Sequence, residues 1–479
     1  MKKVLSIVML SMLFTACDTD LDINQDPDSL TDIPLASQLP AGELGLVAAE
    51  GSHYALIGGF WSQYWTQSTI ASQYKDVDSY IIGTGDYYTA WRDMYDALGD
   101  IRQVKRKALA QENWKFYLMA SVLDAQGSQI LTDFYGSIPY TEANNIDILQ
   151  PAFDSGESVY DSMITDLDFA LSKDLSTSVG DAPGAEDLFF AGDMDQWTAF
   201  ANTLKLKIFM RQTNSSRASI ADAGITALLS SGVTFLDTDA GVTQFEDTPN
   251  LSNPLYETDR RKLNNAENLR KSKTLSSYLD ANGDSRAAEY YRPGNALDQG
   301  DFNNLVSATT ISVVELHPTT PAFLMSREES LFLQAEAQAR YGSATDAKTA
   351  YDAAVIHNFS RYELDGSTYV AAGGAYEYPT GGSLQDQIKA IITQKWVAAF
   401  PGNGFEAFFD TNRTGYPATS AVPQANPGYV PGELAYSVNG ATSGGLFPKR
   451  IVYPQEETNT NSSTPALLPI TTPVWWAQN

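Results

Sequence analysis

Glu328 to Arg340 reads EESLFLQAEAQAR, and beyond Tyr341-Gly342 the run Asp346 to Val355 reads DAKTAYDAAV. Neither run contains proline, and Gly342 stands between them as a breaker, so the pair predicts two helices joined by a short turn. Ala335, Ala337, Ala339, Ala347, Ala350, Ala353 and Ala354 keep the facing surfaces small enough for close approach. Leu333, Tyr341 and Tyr351 fill the remaining volume.

Working outward, the same periodicity recurs. Leu384 to Phe400 predicts a further helix. Upstream, Trp197, Phe200, Leu204 and Ile208 fall on one stripe of a helix from about Met194 to Thr213, with Asp193 or Asp195 as its cap. Tyr160, Ile164, Leu167 and Leu171 mark another, with Ser158 placed to cap it. Trp114 to Phe134 is a long proline-free helix stopped by Gly136 and Pro139. Trp61-Trp65 and Trp91-Tyr95 are i, i+4 aromatic pairs, which places each pair on one helix face, and helical periodicity begins near Leu39. The expected fold class is therefore all-α. The alanine-rich pair resembles one tetratricopeptide helix-turn-helix unit, and a single unit is equally compatible with an ordinary helix hairpin. Segment 232–323 is rich in Pro, Gly, Asn and Asp and reads as irregular, with a few short strands at most and a helix signal at Lys271 to Leu279, and segment 402–479 reads as loop-rich, with Pro417, Pro423, Pro427, Pro431, Pro448 and Pro454.

The N-terminus carries an address. Lys2 and Lys3 precede the apolar run Val4 to Phe14, and Thr15-Ala16 offers small residues before Cys17. Residues 1–16 read as a secretory signal peptide, because the apolar run is shorter than the roughly 20 residues that span a bilayer. A cut at Cys17 resembles the lipobox of bacterial lipoproteins, in which the thiol is acylated, with Phe14 standing where that motif usually has Leu. The alternative is a signal peptide with an incidental cysteine. Residues 17–38 then form a lipidated cysteine and a tether. Asp18 to Asp32 (DTDLDINQDPDSLTD) is acidic and poor in apolar residues, either as a plain spacer or as a surface-export signal. Residues 39–479 form a single domain.

Composition narrows the partners. The chain has 479 residues, with 58 acidic against 31 basic, for a net charge of −27. That charge repels phosphate backbones, which argues against nucleic acid. One cysteine excludes a disulfide framework. His53, His317 and His357 show no paired metal spacing, so no metal and no cofactor is expected. No G-x-S-x-G is present, and a glycosidase-type carboxylate pair is a matter of distance in space that sequence leaves open. The stronger lead is aromatic. The chain contains 8 Trp, 25 Tyr and 21 Phe, and loops that mix rings with polar side chains suit the apolar face and the hydroxyls of a sugar. Trp65, Tyr74, Tyr80 and Tyr291 are the candidates for stacking, and Asp76, Arg292 and Asn403 for hydrogen bonding. The competing role for each ring is core packing.

Several stretches together carry a resemblance: CDTDLDINQDPDSLTDIPLASQLP, GGFWSQYWTQ, ILTDFYGSIPYTEA, VYDSMITDLDFAL, DMDQWTAFANTLKLKIFMR, NGDSRAAEYY, REESLFLQAEAQAR, ITQKWVAAFPGNGFEAFFDTNRTGYP and KRIVYPQEE. In this order, from Cys17 to Glu457, the chain resembles the SusD/RagB family of outer-membrane lipoproteins of Bacteroidota. Thr411-Asn412-Arg413 departs from the Arg-Arg pair common there. The resemblance implies several tetratricopeptide-like helix pairs with a loop-rich part packed on them. It also implies a non-catalytic, lipid-anchored protein of the cell surface that captures oligosaccharide, or sometimes peptide, and closes over a SusC-like TonB-dependent transporter. Under it, Asp133, Tyr135, Gly136 and Pro139 shape a turn, and Trp197 and Trp396 fill the core. The rivals are a helical protein-interaction scaffold and a surface glycoside hydrolase.

Overall fold

The computed structural model describes residues 33–71, 73–263 and 268–477. The expected signal peptide, Cys17 and the acidic run to Asp32 lie outside the described residues. Helix α1 (Leu35–Ala49) begins earlier than Leu39 and continues through a π-helical turn (Glu50–Tyr54) into α2 (Ala55–Trp61). Then come α3 (Tyr88–Gln111), α4 (Trp114–Tyr135), α5 (Gly156–Leu171), α6 (Met194–Arg211) and α7 (Ala218–Ser231). After a loop-rich stretch holding α8 (Lys273–Ala281), the chain returns to helix in α9 (Arg327–Tyr341), α10 (Ala344–Ser360), α11 (Leu384–Ala398) and α12 (Gly404–Thr414).

Local chemistry sets the ends of these helices. Glu112, in the left-handed region at φ +56°, closes α3, and the Asn113 side chain then accepts from the Phe116 N–H to open α4. Ser155, not Ser158, caps α5: the Ser158 N–H donates to the Ser155 hydroxyl. Asp193 is the cap of α6 and accepts from the N–H groups of Asp195 and Gln196. Ser326 and Ser343 cap α9 and α10, and Ser383 forms a capping box with Asp386 at α11. Gly136, at φ +88°, ends α4.

Neighbouring helices pack in succession: α1 on α3, α3 on α4, α4 on α5 and α6, and α6 on α7. The most extensive pairing is α9 with α10, the hairpin read from the alanines, and α11 lies against α9. The result is a mainly helical scaffold of tetratricopeptide-like pairs. A main core centred on residues such as Trp197, Leu204 and Phe134 is joined by a second cluster around Phe332, Tyr351, Phe359 and Ile391, which belongs to α9, α10 and α11. Trp197 and Trp396 are both buried, and each such side chain contributes about 1.5–3 kcal/mol through burial.

Two expectations are corrected. Trp61 and Trp65 do not share a helix face. The helix stops at Trp61, Gln63 turns the backbone into the left-handed region at φ +58°, and Trp65 lies in β1 (Trp65–Thr66). That strand pairs antiparallel with β3 (Arg270–Lys271), with Trp65 opposite Lys271. Nor is the loop-rich stretch from Gly402 onward without a helix, because α12 occupies Gly404–Thr414. Its charged residues Glu406, Asp410 and Arg413 are all buried. Helix α2 crosses the start of α12 at backbone contact, since a Cβ on Gly58 would stand 2.1 Å from the Phe405 nitrogen. The Ser62 hydroxyl donates to the Gly404 carbonyl at 2.7 Å across the same crossing. Elsewhere in the loop-rich part, β2 (Ala240–Val242) pairs antiparallel with β4 (Ala322–Met325) through a bulge, in keeping with the few short strands expected.

Candidate functional site

A cavity of about 670 Å³ opens where the helical scaffold meets the loop-rich part. Its volume falls within the range of small-ligand sites, about 300–1,000 Å³. The π-helical turn contributes Glu50 and Gly51, β4 contributes Phe323 and Leu324, and the start of α9 contributes Glu328 and Glu329. The end of α10 adds Arg361 and Tyr362, and the α11–α12 junction adds Lys395, Phe400 and Asn403. Glu289, His317 and Glu363 are exposed at the mouth, whereas Glu50, Leu324, Glu329 and Glu406 are buried at the floor. Phe323 and Tyr362 are half-buried rings on the wall, and Asn253, Thr320 and Asn403 are half-buried polar groups beside them.

The wall's cations are already engaged. The Arg361 guanidinium bonds to Glu328 and Asp239, and lies 4.7 Å from the Phe323 ring centroid. Burial would raise the Glu328 carboxyl, but His357 and Arg361 outweigh it and hold the group at about 2. Lys395 contacts Asp410 at 2.8 Å.

Beneath the floor lies an ion network inside the protein. Arg211 reaches Asp133 at 2.9 Å and Glu406 at 2.5 Å, and Lys207 reaches Glu406 at 2.9 Å. Arg413 grips Glu336 with two nitrogens, at 2.6 and 2.7 Å, and reaches Asp410 at 2.8 Å. Such bidentate pairs are strong because the fork of the guanidinium matches the carboxylate. Asp133, expected as a turn residue, is a hub: Trp476 Nε1 donates to it at 2.7 Å, and burial, opposed by Arg211, pushes it up to about 6.

Glu50 differs from these carboxylates. It forms no ion pair among the described residues, and Gln126 Nε2 stands 3.3 Å from each of its oxygens. Burial raises its carboxyl well above the ordinary range, with Lys207 and Gln126 opposing. Burial likewise raises Glu329. Glu329 Oε1 is 3.5 Å from Lys207 and 3.8 Å from Lys395, and its buried Oε2 accepts no hydrogen bond.

The residues singled out from the sequence are scattered. Asn403 lines the cavity. Arg292 is exposed and pairs at 2.8 Å with Glu315, a wall residue. Asp76 is exposed elsewhere, on a short helical turn. The four rings proposed to stack are buried: Trp65 at 0%, Tyr291 at 2%, Tyr80 at 4% and Tyr74 at 5% exposure. Trp65 packs against Phe60, Tyr64 and Phe400; Tyr80 against Tyr436 and Phe447; and Tyr74 against Phe60. The Tyr291 hydroxyl donates to the Tyr64 carbonyl at 2.7 Å. The ligand-stacking expectation at these four positions is corrected, because the rings pack into the interior: Trp65 and Tyr291 against Phe400, Tyr74 against Phe60, and Tyr80 beneath Tyr436 and Phe447. The sequence reading missed Glu50, Phe323 and Tyr362. They lie far apart in the chain, and no local motif links them. Among the described residues no cluster of three metal-ligating side chains occurs, and no helix is long and apolar enough to cross a membrane.

Residues 31–454 match a family described as SusD-like, starch-binding and associating with the outer membrane. No curated protein matches the chain. Among solved structures, a SusD homolog from Bacteroides uniformis superposes with a TM-score of 0.70 at 22% identity, covering 94% of this chain and 100% of its own. A chitin-binding SusD homolog from Flavobacterium johnsoniae gives 0.72 at 21% identity, covering 92% and 99%. A SusD homolog from Bacteroides vulgatus gives 0.70 at 22% identity, covering 89% and 92%. These likenesses show a shared fold over nearly the whole length.

Proposed function

The chain belongs to the SusD-like family of starch-binding proteins associated with the outer membrane, and from that premise we propose that it captures an oligosaccharide in the cavity bounded by Phe323, Tyr362 and Asn403. The observation that carries this reading is the cavity itself: about 670 Å³ of space, reached from solvent, with half-buried rings beside hydrogen-bonding groups. A pyranose has an apolar face suited to the rings, and hydroxyls suited to Asn253, Thr320 and Asn403. The chitin-binding homolog from Flavobacterium johnsoniae supports a glycan cargo by analogy of fold. The protein binds without cleaving, hangs from the outer membrane through acylated Cys17, and delivers its cargo to a SusC-like TonB-dependent transporter.

Calorimetry of the purified chain against a panel of plant, host and fungal oligosaccharides tests the capture step. The combined change Phe323→Ala and Asn403→Ala should weaken the identified ligand at least tenfold, and unchanged affinity would remove the cavity from the account. Release of reducing ends would turn the reading toward hydrolysis, and binding of peptides alone would move the cargo class. Cys17→Ser should shift the protein from the membrane fraction to the soluble fraction. Retention in the membrane would refute the anchor. Co-purification of a TonB-dependent transporter with the tagged chain is expected, and its absence would count against delivery to that partner.

A further inference from the structure

We infer that the cavity selects saccharides bearing a protonated primary amine, seated against Glu50 and Glu329 on its floor. The inference rests on the capture role proposed above and names the chemical class of the cargo. In the network beneath the cavity, Lys207, Arg211, Arg340, Lys395 and Arg413 are matched by Asp133, Glu329, Glu336, Glu406 and Asp410. Glu50 stands outside that balance. It is 2% exposed, lines the cavity and accepts from Gln126, while Lys207, which pairs with Glu406, acts on it from beyond ion-pair distance.

Glu329 supplies the second, separate observation. It is 5% exposed and lines the same cavity, yet its buried Oε2 accepts no hydrogen bond. A buried acceptor left unsatisfied is destabilising, so a donor arriving from the cavity is favoured there. An ammonium brings three N–H donors and a positive charge, whereas a sugar hydroxyl brings one donor and no charge. At the mouth, Glu289 and Glu363 are exposed acids, while the neighbouring Arg361 and Arg292 are held by Glu328 with Asp239 and by Glu315. Acids outnumber the lining cations Arg361 and Lys395, both of which are paired, and that net negative field favours a ligand of the opposite sign. Burial raises the Glu50 carboxyl well above the ordinary range, with Lys207 and Gln126 opposing, and an ammonium seated beside it would act in the opposite direction to burial.

The test is calorimetry of the full chain with tetrasaccharides that differ at one substituent, 2-amine against 2-hydroxyl, in both α-1,4 and β-1,4 linkage. In one linkage the amine form should bind at least tenfold more tightly than its hydroxyl counterpart. In Glu50→Gln, a near-isosteric change, the ratio of the two affinities should fall toward one. Equal binding of the amine and hydroxyl forms by the unmodified chain overturns the inference without any variant. If Phe323→Ala with Asn403→Ala still weakens both forms, the capture site survives that result. Glu50-dependent binding of a lysine peptide with no saccharide binding also overturns it, as does binding of none of the tetrasaccharides.

Discussion

Asp410 on α12 and Glu50 on the π-helical turn are both buried carboxylates beside the same helical core, yet burial has opposite outcomes for them. Around Asp410 stand Lys395, Arg413 and Arg211, and together they outweigh burial and hold its carboxyl well below the ordinary range. Around Glu50 the desolvation is not offset, and the group is pushed the other way. The first region is closed on itself: each charge has a partner, and the cluster ties α6, α9, α11 and α12 together. The second ends at a cavity. In this molecule, satisfied charge marks the scaffold, and unsatisfied charge marks the place where something else can bind.

Three changes sharpen that contrast. The largest effect is expected in the closed network. Arg413→Ala strands Glu336 and Asp410 in the interior, and breaking one partner of a buried pair costs about 3–5 kcal/mol. Urea unfolding should show it, and a loss below about 1 kcal/mol would mean that the network is not a tie between helices.

A carboxylate outside both regions gives an effect that is spread over pH. Burial first, then Asp187, pushes the Glu43 carboxyl from its ordinary 4.5 up to about 9. The folded chain therefore keeps a proton that the unfolded chain releases, and folding takes up a proton between those two values. Stability from this group is present below about pH 4.5 and is lost as pH rises toward 9, by up to about 1.4 kcal/mol per pH unit. Glu43→Gln should flatten that alkaline decline in melting temperature, and an unchanged slope would refute the assignment. Glu406 runs in the opposite sense. Lys207 and Arg211 overcome burial and bring it down to about 2, so its contribution is present above about 4.5 and is lost as pH falls through 2.

The smallest effect is expected at the surface. Lys348 and Asp352 form an i, i+4 pair at 2.5 Å with both side chains partly exposed. Lys348→Ala should cost only about 0.2–0.5 kcal/mol. A loss comparable to that of Arg413→Ala would erase the distinction between paired charge inside and outside the core.

The scaffold was far more legible than the site. Helical stripes announce themselves within about twenty residues, as does the cap at Asp193, because apolar spacing and end chemistry are local. The close pairing of α9 and α10 could be read from alanines. Helix α12 escaped because nearly every residue in it is buried, including its charges, so polarity no longer distinguishes an inner face from an outer one. The candidate rings failed for a related reason. Trp65, Tyr74, Tyr80 and Tyr291 sit among Gly, Asp and Lys, as loop residues do, but whether a loop ring faces water depends on what folds over it. Tyr80 is covered by Tyr436 and Phe447, far away in the chain. Asn403 was read as a hydrogen-bonding group for the ligand, and its place on the cavity wall follows from the α11–α12 junction, which periodicity does not specify.

The most direct test of the account is a crystal structure of the chain soaked with the oligosaccharide that binds most tightly in solution. Density for a sugar between Phe323, Tyr362 and Asn403, with its most polar substituent toward Glu50, is the predicted result. A sugar ordered elsewhere on the surface, with the cavity unchanged, would contradict it.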